Sequence, residues 1–160
     1  MATKVTEGQS FTDYADRILS GKQPKLVEYI RGKAWRLPAP YNHRTNKKES
    51  AILAETKRIV GMEPMCFWRR IEGGGKIMGD RIIPSSMVGM PDIVMIFKGI
   101  FWGIELKASG GSVSCEQMAT LKSMQRSGGQ ALIVVEPARL WSYVRGEIEA
   151  TCDINGIDIL

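Results

Sequence analysis

The chain has 160 residues, 44% hydrophobic and 24% charged, with 22 Lys and Arg against 17 Asp and Glu, a net charge of +5. That suits one globular domain with one core, and the excess of base favours a polyanionic partner. No run of about 18 apolar residues offers a membrane span and Met1-Ala2-Thr3-Lys4 opens no apolar signal core; the three cysteines, Cys66, Cys115 and Cys152, form no Cys-x-x-Cys, which argues against structural zinc and suits a reducing cytosol, and a lone His43 in a polar loop argues against a Ser-His-Asp hydrolase.

Residues 10–36 read as helical. Ser10 or Thr12 caps a helix carrying Phe11, Tyr14, Ala15, Ile18 and Leu19, and Pro24 starts a second with Leu26, Val27 and Ile30 on one face. Leu37-Pro38-Ala39-Pro40-Tyr41-Asn42 is a rigid linker, so residues 1–45 form an N-terminal helical extension. Residues 46–60 form an amphipathic helix, with Ile52, Leu53, Thr56, Ile59 and Val60 as its apolar stripe and Gly61 as its stop. Asn46 caps it with Glu49 at the third position, and Glu49 borders the apolar face. A strand follows over Met65–Ile71. Glu72-Gly73-Gly74-Gly75-Lys76 lacks P-loop spacing and reads as a flexible loop.

Ile93–Phe97 and Ile100–Leu106 are short, β-branched and aromatic, and read as two strands joined by a Lys98-Gly99 turn. If Phe97 faces Ile100, Asp92 falls directly across from Glu105, with Cβ atoms about 5 Å apart. Lys107 shares the face of Glu105 by the two-residue alternation of a strand. Val94, Ile96 and Phe101 lie on that face, and Ile93, Met95, Ile104 and Leu106 on the other. Both faces are apolar, so the sheet is expected to be covered on both sides. Two carboxylates at the end of such a hairpin are costly to bury, and a divalent cation with its preference for oxygen ligands removes that cost.

Ala108–Val113 reads as a Gly/Ser loop. Ser114 caps a helix over Cys115–Ser127, with Gln117 completing a capping box, Met118, Leu121 and Met124 inward, and Gly128-Gly129 at its end. Gln130–Val135 is a buried strand. The strand–helix–strand spacing makes a crossover that sets it parallel to the strand of Glu105. Pro137–Val144 opens another helix. Glu147–Leu160 has Ile148, Ile154, Ile157 and Ile159 but no clear period, and is read as a tail. Basic residues gather at Arg31, Lys33, Arg36, Arg44, Lys47 and Lys48, and again at Arg69, Arg70, Lys76 and Arg81.

Five elements in order, Glu49, Gly89-Met90-Pro91-Asp92, Glu105-Leu106-Lys107, Ser114-Cys115-Glu116-Gln117 and Gly128-Gly129, resemble the virus-type replication-repair nuclease (VRR-NUC) family of the PD-(D/E)xK superfamily, in its small phage and bacterial form. The match spans about residues 46–137. The resemblance implies an α/β restriction-endonuclease-like core over residues 46–146, with a central mixed sheet flanked by helices, and a C-terminal tail over 147–160. It implies Mg²⁺- or Mn²⁺-dependent hydrolysis of DNA phosphodiesters, by a homodimer selective for branched or Holliday-junction DNA, in the cytoplasm of a bacterial or phage-infected cell. On that reading Asp92, Glu105 and the Leu106 carbonyl hold one or two ions, and Glu49 completes the shell directly or through water. Lys107 orients or deprotonates the water, and Gln117 stands beside the site. Glu55 competes with Glu49 for its role. Lys47, Lys48, Arg69, Arg70, Lys76 and Arg81 are expected to contact DNA, mainly its backbone. A sequence-specific restriction-type nuclease, a nucleic-acid-binding module without catalysis and a core built around a salt bridge are the other readings.

Overall fold

The computed structural model describes residues 34–37, 47–72, 76–78, 81–83 and 87–160, with 76–78 and 81–83 as backbone alone. The elements are β1 (Ala34–Arg36), α1 (Glu49–Gly61), β2 (Cys66–Arg70), β3 (Lys76–Met78), β4 (Arg81–Ile83), β5 (Ile93–Phe97), β6 (Ile100–Leu106) and β7 (Ser112–Ser114). They continue with α2 (Cys115–Arg126), β8 (Gln130–Val134), a 3-10 turn at Pro137–Arg139, α3 (Leu140–Val144), β9 (Cys152–Ile154) and β10 (Ile157–Ile159). All of these lie within one compact unit, residues 34–160. The fold is mixed α/β, and among the described residues no helix is long and apolar enough to cross a membrane.

The Lys98-Gly99 turn sets the centre of the sheet. Both residues have positive φ, 50° and 79°, as a two-residue hairpin turn matched to strand twist requires. The register follows as expected, from Phe97 opposite Ile100 to Ile93 opposite Ile104. Around this hairpin a six-stranded sheet runs in the order β2-β5-β6-β8-β10-β9. β2 is antiparallel to β5, while β8 is parallel to β6 through the α2 crossover, with Glu105 level with Ile133. α1 lays Ile52 and Val60 against Ile93, Met95, Ile104, Leu106, Leu132 and Val134 to make the core. α2 lies on the opposite face, where the Met124 sulfur fills the space over Gly103.

Several expectations are corrected. Ala34–Arg36 is a strand and not the end of a helix: it pairs antiparallel with β7, and the Leu37 N–H donates to the Gly111 carbonyl at 3.1 Å. Tertiary pairing here overrides local helical preference, and it makes Ser112–Ser114 a strand where a loop was expected. α1 begins at Glu49 with Lys48 as its cap residue and no side-chain cap; Asn46 lies outside the described residues, as do the helices read over 10–33, most of the proline linker and His43. Lys76 opens the β3–β4 ladder rather than ending a loop. The helix read over 137–144 divides into a 3-10 turn and α3.

Residues 147–160 are no tail. β10 joins the main sheet beside β8, and Leu160 is tied on both sides, its N–H to the Ile133 carbonyl at 2.9 Å and its carbonyl from the Val135 N–H at 2.6 Å. Asn155 and Gly156 turn β9 into β10 with φ of 53° and 75°. That Asn-Gly is a strong local hairpin signal, masked by strands too short to show a period. The sheet is also less covered than expected, because Ile96 and Phe101 are 42% and 38% exposed.

Candidate active site

Asp92 stands one residue before β5, beyond the last paired rung. Its side chain supplies the next rung: the Leu106 N–H donates to Asp92 Oδ2 at 2.8 Å. The N–H and C=O of a strand residue point to the same edge, so the Leu106 carbonyl also faces the Asp92 side. The Lys107 N–H turns to the other edge and bonds the Val134 carbonyl at 3.1 Å. Gly89 brings Pro91-Asp92 to this place. Its φ is +82°, and a Cβ there would stand 2.8 Å from the Glu116 carbonyl oxygen, so only glycine lets the turn lie against the first turn of α2.

Glu105 is the centre of the site. Its neighbours Ile104 and Leu106 are core residues of the α1 face, and the alternation of the strand turns Glu105 toward α2. It is 1% exposed. Oε1 accepts from Gln117 Nε2 at 2.5 Å and lies 2.8 Å from Lys107 Nζ. Oε2 is buried with no hydrogen-bond partner. Burial, and then the charge of Asp92, push the Glu105 carboxyl from 4.5 up to about 7 against the opposing pull of Lys107.

Gln117 is oriented by the helix it caps. Its amide oxygen accepts from the Ser114 N–H at 2.9 Å, and its own N–H donates to Ser114 Oγ at 3.2 Å. With the oxygen so engaged, the NH₂ is the end left for Glu105. Lys107 is largely buried, with Glu49 Oε1 at 3.9 Å from its Nζ. Glu49, 53% exposed at its side chain, reaches the cluster from the first residue of α1. Glu55 does not: it pairs with Lys47 at 2.6 Å. The structure thus brings Glu49, Asp92, Glu105, Lys107 and Gln117 to one end of the sheet.

Among the described residues, no three His, Cys, Asp or Glu side chains form a ready cluster for a metal ion. The fit to a cation rests instead on the bare, buried Oε2 of Glu105 and the nearby Asp92 carboxylate, two hard oxygen donors whose charges oppose each other. Mg²⁺ or Mn²⁺ matches that chemistry, and three scattered thiols do not compete with it.

The expected basic contacts divide. Lys48 is exposed just ahead of Glu49. Arg69 pairs with Val94 across the ladder, and so lies on the Glu105 face. Arg70 lies level with Ile93 on the other face and pairs with Glu72 at 3.4 Å. Lys47 is engaged by Glu55, and Lys76 and Arg81 sit in the β3–β4 ladder. One residue escaped the sequence reading. A Cβ at Gly111 would stand 2.9 Å from the Ala108 carbonyl and 3.5 Å from Lys107 Cβ, so this glycine lets the loop close on the lysine stem. Its signal was the Gly110-Gly111 pair, which begins three residues after Lys107 of Glu-x-Lys. No protein-family model and no curated protein matches the chain.

Proposed function

We propose that the chain is a divalent-metal-dependent DNA endonuclease of the PD-(D/E)xK type, akin to the VRR-NUC family. One observation carries the reading: a buried Glu105 with one oxygen doubly held and the other bare, beside Asp92. A structural salt bridge to Lys107 would account for Oε1 but not for the unpartnered Oε2, whose burial costs about 1–3 kcal/mol or more.

Asp92, Glu105 and the Leu106 carbonyl would hold the cation, with Glu49 completing the shell directly or through water. A bound Mg²⁺ or Mn²⁺ supplies Lewis-acid activation of the phosphodiester and of water. Gln117 keeps Oε1 of Glu105 engaged and so leaves Oε2 for a ligand. Lys107 presents its ammonium where it can orient water and offset the charge that builds on a phosphoryl oxygen. Lys48 and Arg69 add phosphate contacts, which carry affinity but no base sequence. A branched or junction substrate and a homodimer with two sites belong to the same proposal on the strength of the resemblance.

The test is cleavage of duplex, flap, splayed and four-way DNA with Mg²⁺ or Mn²⁺. Activity is expected with metal and none in EDTA. Asp92→Ala and Lys107→Ala are expected to abolish it while melting and DNA binding persist. Cleavage that continues in EDTA, or in both variants, would sink the reading. Light scattering measures the dimer.

A further inference from the structure

Across three strands, Phe67 pairs with Ile96 and Ile96 with Phe101, so three large apolar side chains form one row. They are 55%, 42% and 38% exposed. The row lies on the face of Asp92 and Glu105, with Ile96 four residues along from Asp92 and Phe101 four residues from Glu105, or about 13 Å at the rise of a strand. Arg69, on the same face, holds its guanidinium over the Phe67 ring at 4.9 Å. Beside Phe101, against the second half of α2, is an open cavity of about 360 Å³ lined by Thr120, Ser123, Met124, Ser127 and Gly129.

The geometry points to this row as a stacking platform for unpaired DNA bases, delivering a single-stranded arm to the site. Apolar patches of this kind on a sheet face are seldom without a partner. Rings stack on the π-face of any base, and a cation beside them meets the backbone. The cavity beside Phe101 is large enough to admit a base. Bases in an intact duplex are already stacked and cannot reach the row. A second copy of the chain is the poorer occupant, because Arg69 would face its own kind and the row itself carries no carboxylate to meet it. The inference rests on the proposed nuclease reading for what happens to the arm, but not for its binding.

The experiment is fluorescence anisotropy in EDTA with labelled oligo(dT) and a blunt duplex. The parent chain, Phe67→Ala/Phe101→Ala and the ring-preserving Phe67→Trp/Phe101→Tyr are compared. The alanine pair is expected to weaken oligo(dT) at least about tenfold and to leave duplex affinity and melting close to the parent. The aromatic pair is expected to retain oligo(dT) affinity. Unchanged oligo(dT) affinity in the alanine pair would overturn the inference, as would a parent that does not bind oligo(dT). So would an alanine pair that splits a dimer in light scattering while binding oligo(dT) as before, which would make the face a contact between copies. Ring-dependent binding without cleavage of any DNA would retain this inference and remove the nuclease reading; cleavage without ring-dependent binding would do the reverse.

Discussion

Gln117 caps α2 with one end of its amide and holds Glu105 with the other. The start of a helix and the placement of a buried carboxylate are therefore joined through a single side chain. The two functions separate by substitution. Gln117→Glu retains an acceptor for the Ser114 N–H but sets a second carboxylate against Glu105. It is expected to keep stability near the parent at acid pH and to lower cleavage by at least about tenfold. Ser114→Ala removes only the cap, costs about 1 kcal/mol and should leave most of the rate. Urea melts and single-turnover cleavage distinguish them; equal losses of rate in both variants would assign Gln117 to the helix alone.

Glu105 makes stability depend on pH in a direction opposite to that of most carboxylates. Folding raises it from 4.5 to about 7, so between those values the folded chain holds a proton that the unfolded chain has released. Stability from this group is greatest below pH 4.5, falls as pH rises to about 7 and is level above. The span corresponds to about 3 kcal/mol. Glu105→Gln is expected to raise the thermal midpoint at pH 8 in EDTA by at least about 5 °C, to match the parent near pH 4, and to abolish cleavage. Mg²⁺ or Mn²⁺ should raise the midpoint of the parent and not of the variant. Calorimetry over pH and metal checks both.

The two candidate acids of α1 are also separable. Glu49 approaches Lys107 at 3.9 Å, whereas Glu55 is paired with Lys47. Glu49→Gln is expected to raise the metal concentration needed for half-maximal cleavage. Glu55→Gln should change stability by no more than about 0.5 kcal/mol and leave the metal dependence alone. A metal titration that moves with Glu55 and not with Glu49 would exchange their roles.

Gly103 needs its missing side chain because Met124 occupies the space, with Pro91 Cγ 3.3 Å from where a Cβ would stand. Gly103→Ala is expected to destabilise by about 1–3 kcal/mol. Adding Met124→Ala should recover part of that loss, a coupling a double-mutant cycle measures. Additive losses would mean that strand twist and not side-chain space selects the glycine.

The parts of the site legible in the sequence are those that local chemistry decides. Lys98-Gly99 can make one kind of tight turn, that turn sets the register, and the register brings Asp92 to β6. Ser114 and Gln117 are three residues apart, so their reciprocal bonds need no knowledge of the rest of the chain. What was not legible depends on distant partners. Nothing within Ala34–Arg36 announces Val113, and nothing within Ile157–Ile159 announces β8. The exposure of Ile96 and Phe101 was hidden for a related reason: apolar residues on both faces of a strand imply cover, but do not say whether protein or ligand supplies it. Glu49 reached the site although its expected cap with Asn46 was replaced by a helix that starts at Glu49 itself.

The bond from the Leu106 N–H to Asp92 Oδ2 has one more consequence. A backbone amide ending on a carboxylate senses the charge there directly, and its proton resonance and exchange rate shift when that charge is shared with a cation or lost. Leu106 is thus a reporter built into the main chain, readable by NMR without altering any side chain of the site. It would register occupancy at Asp92 separately from any event at Lys107, whose own N–H faces the other edge of the strand.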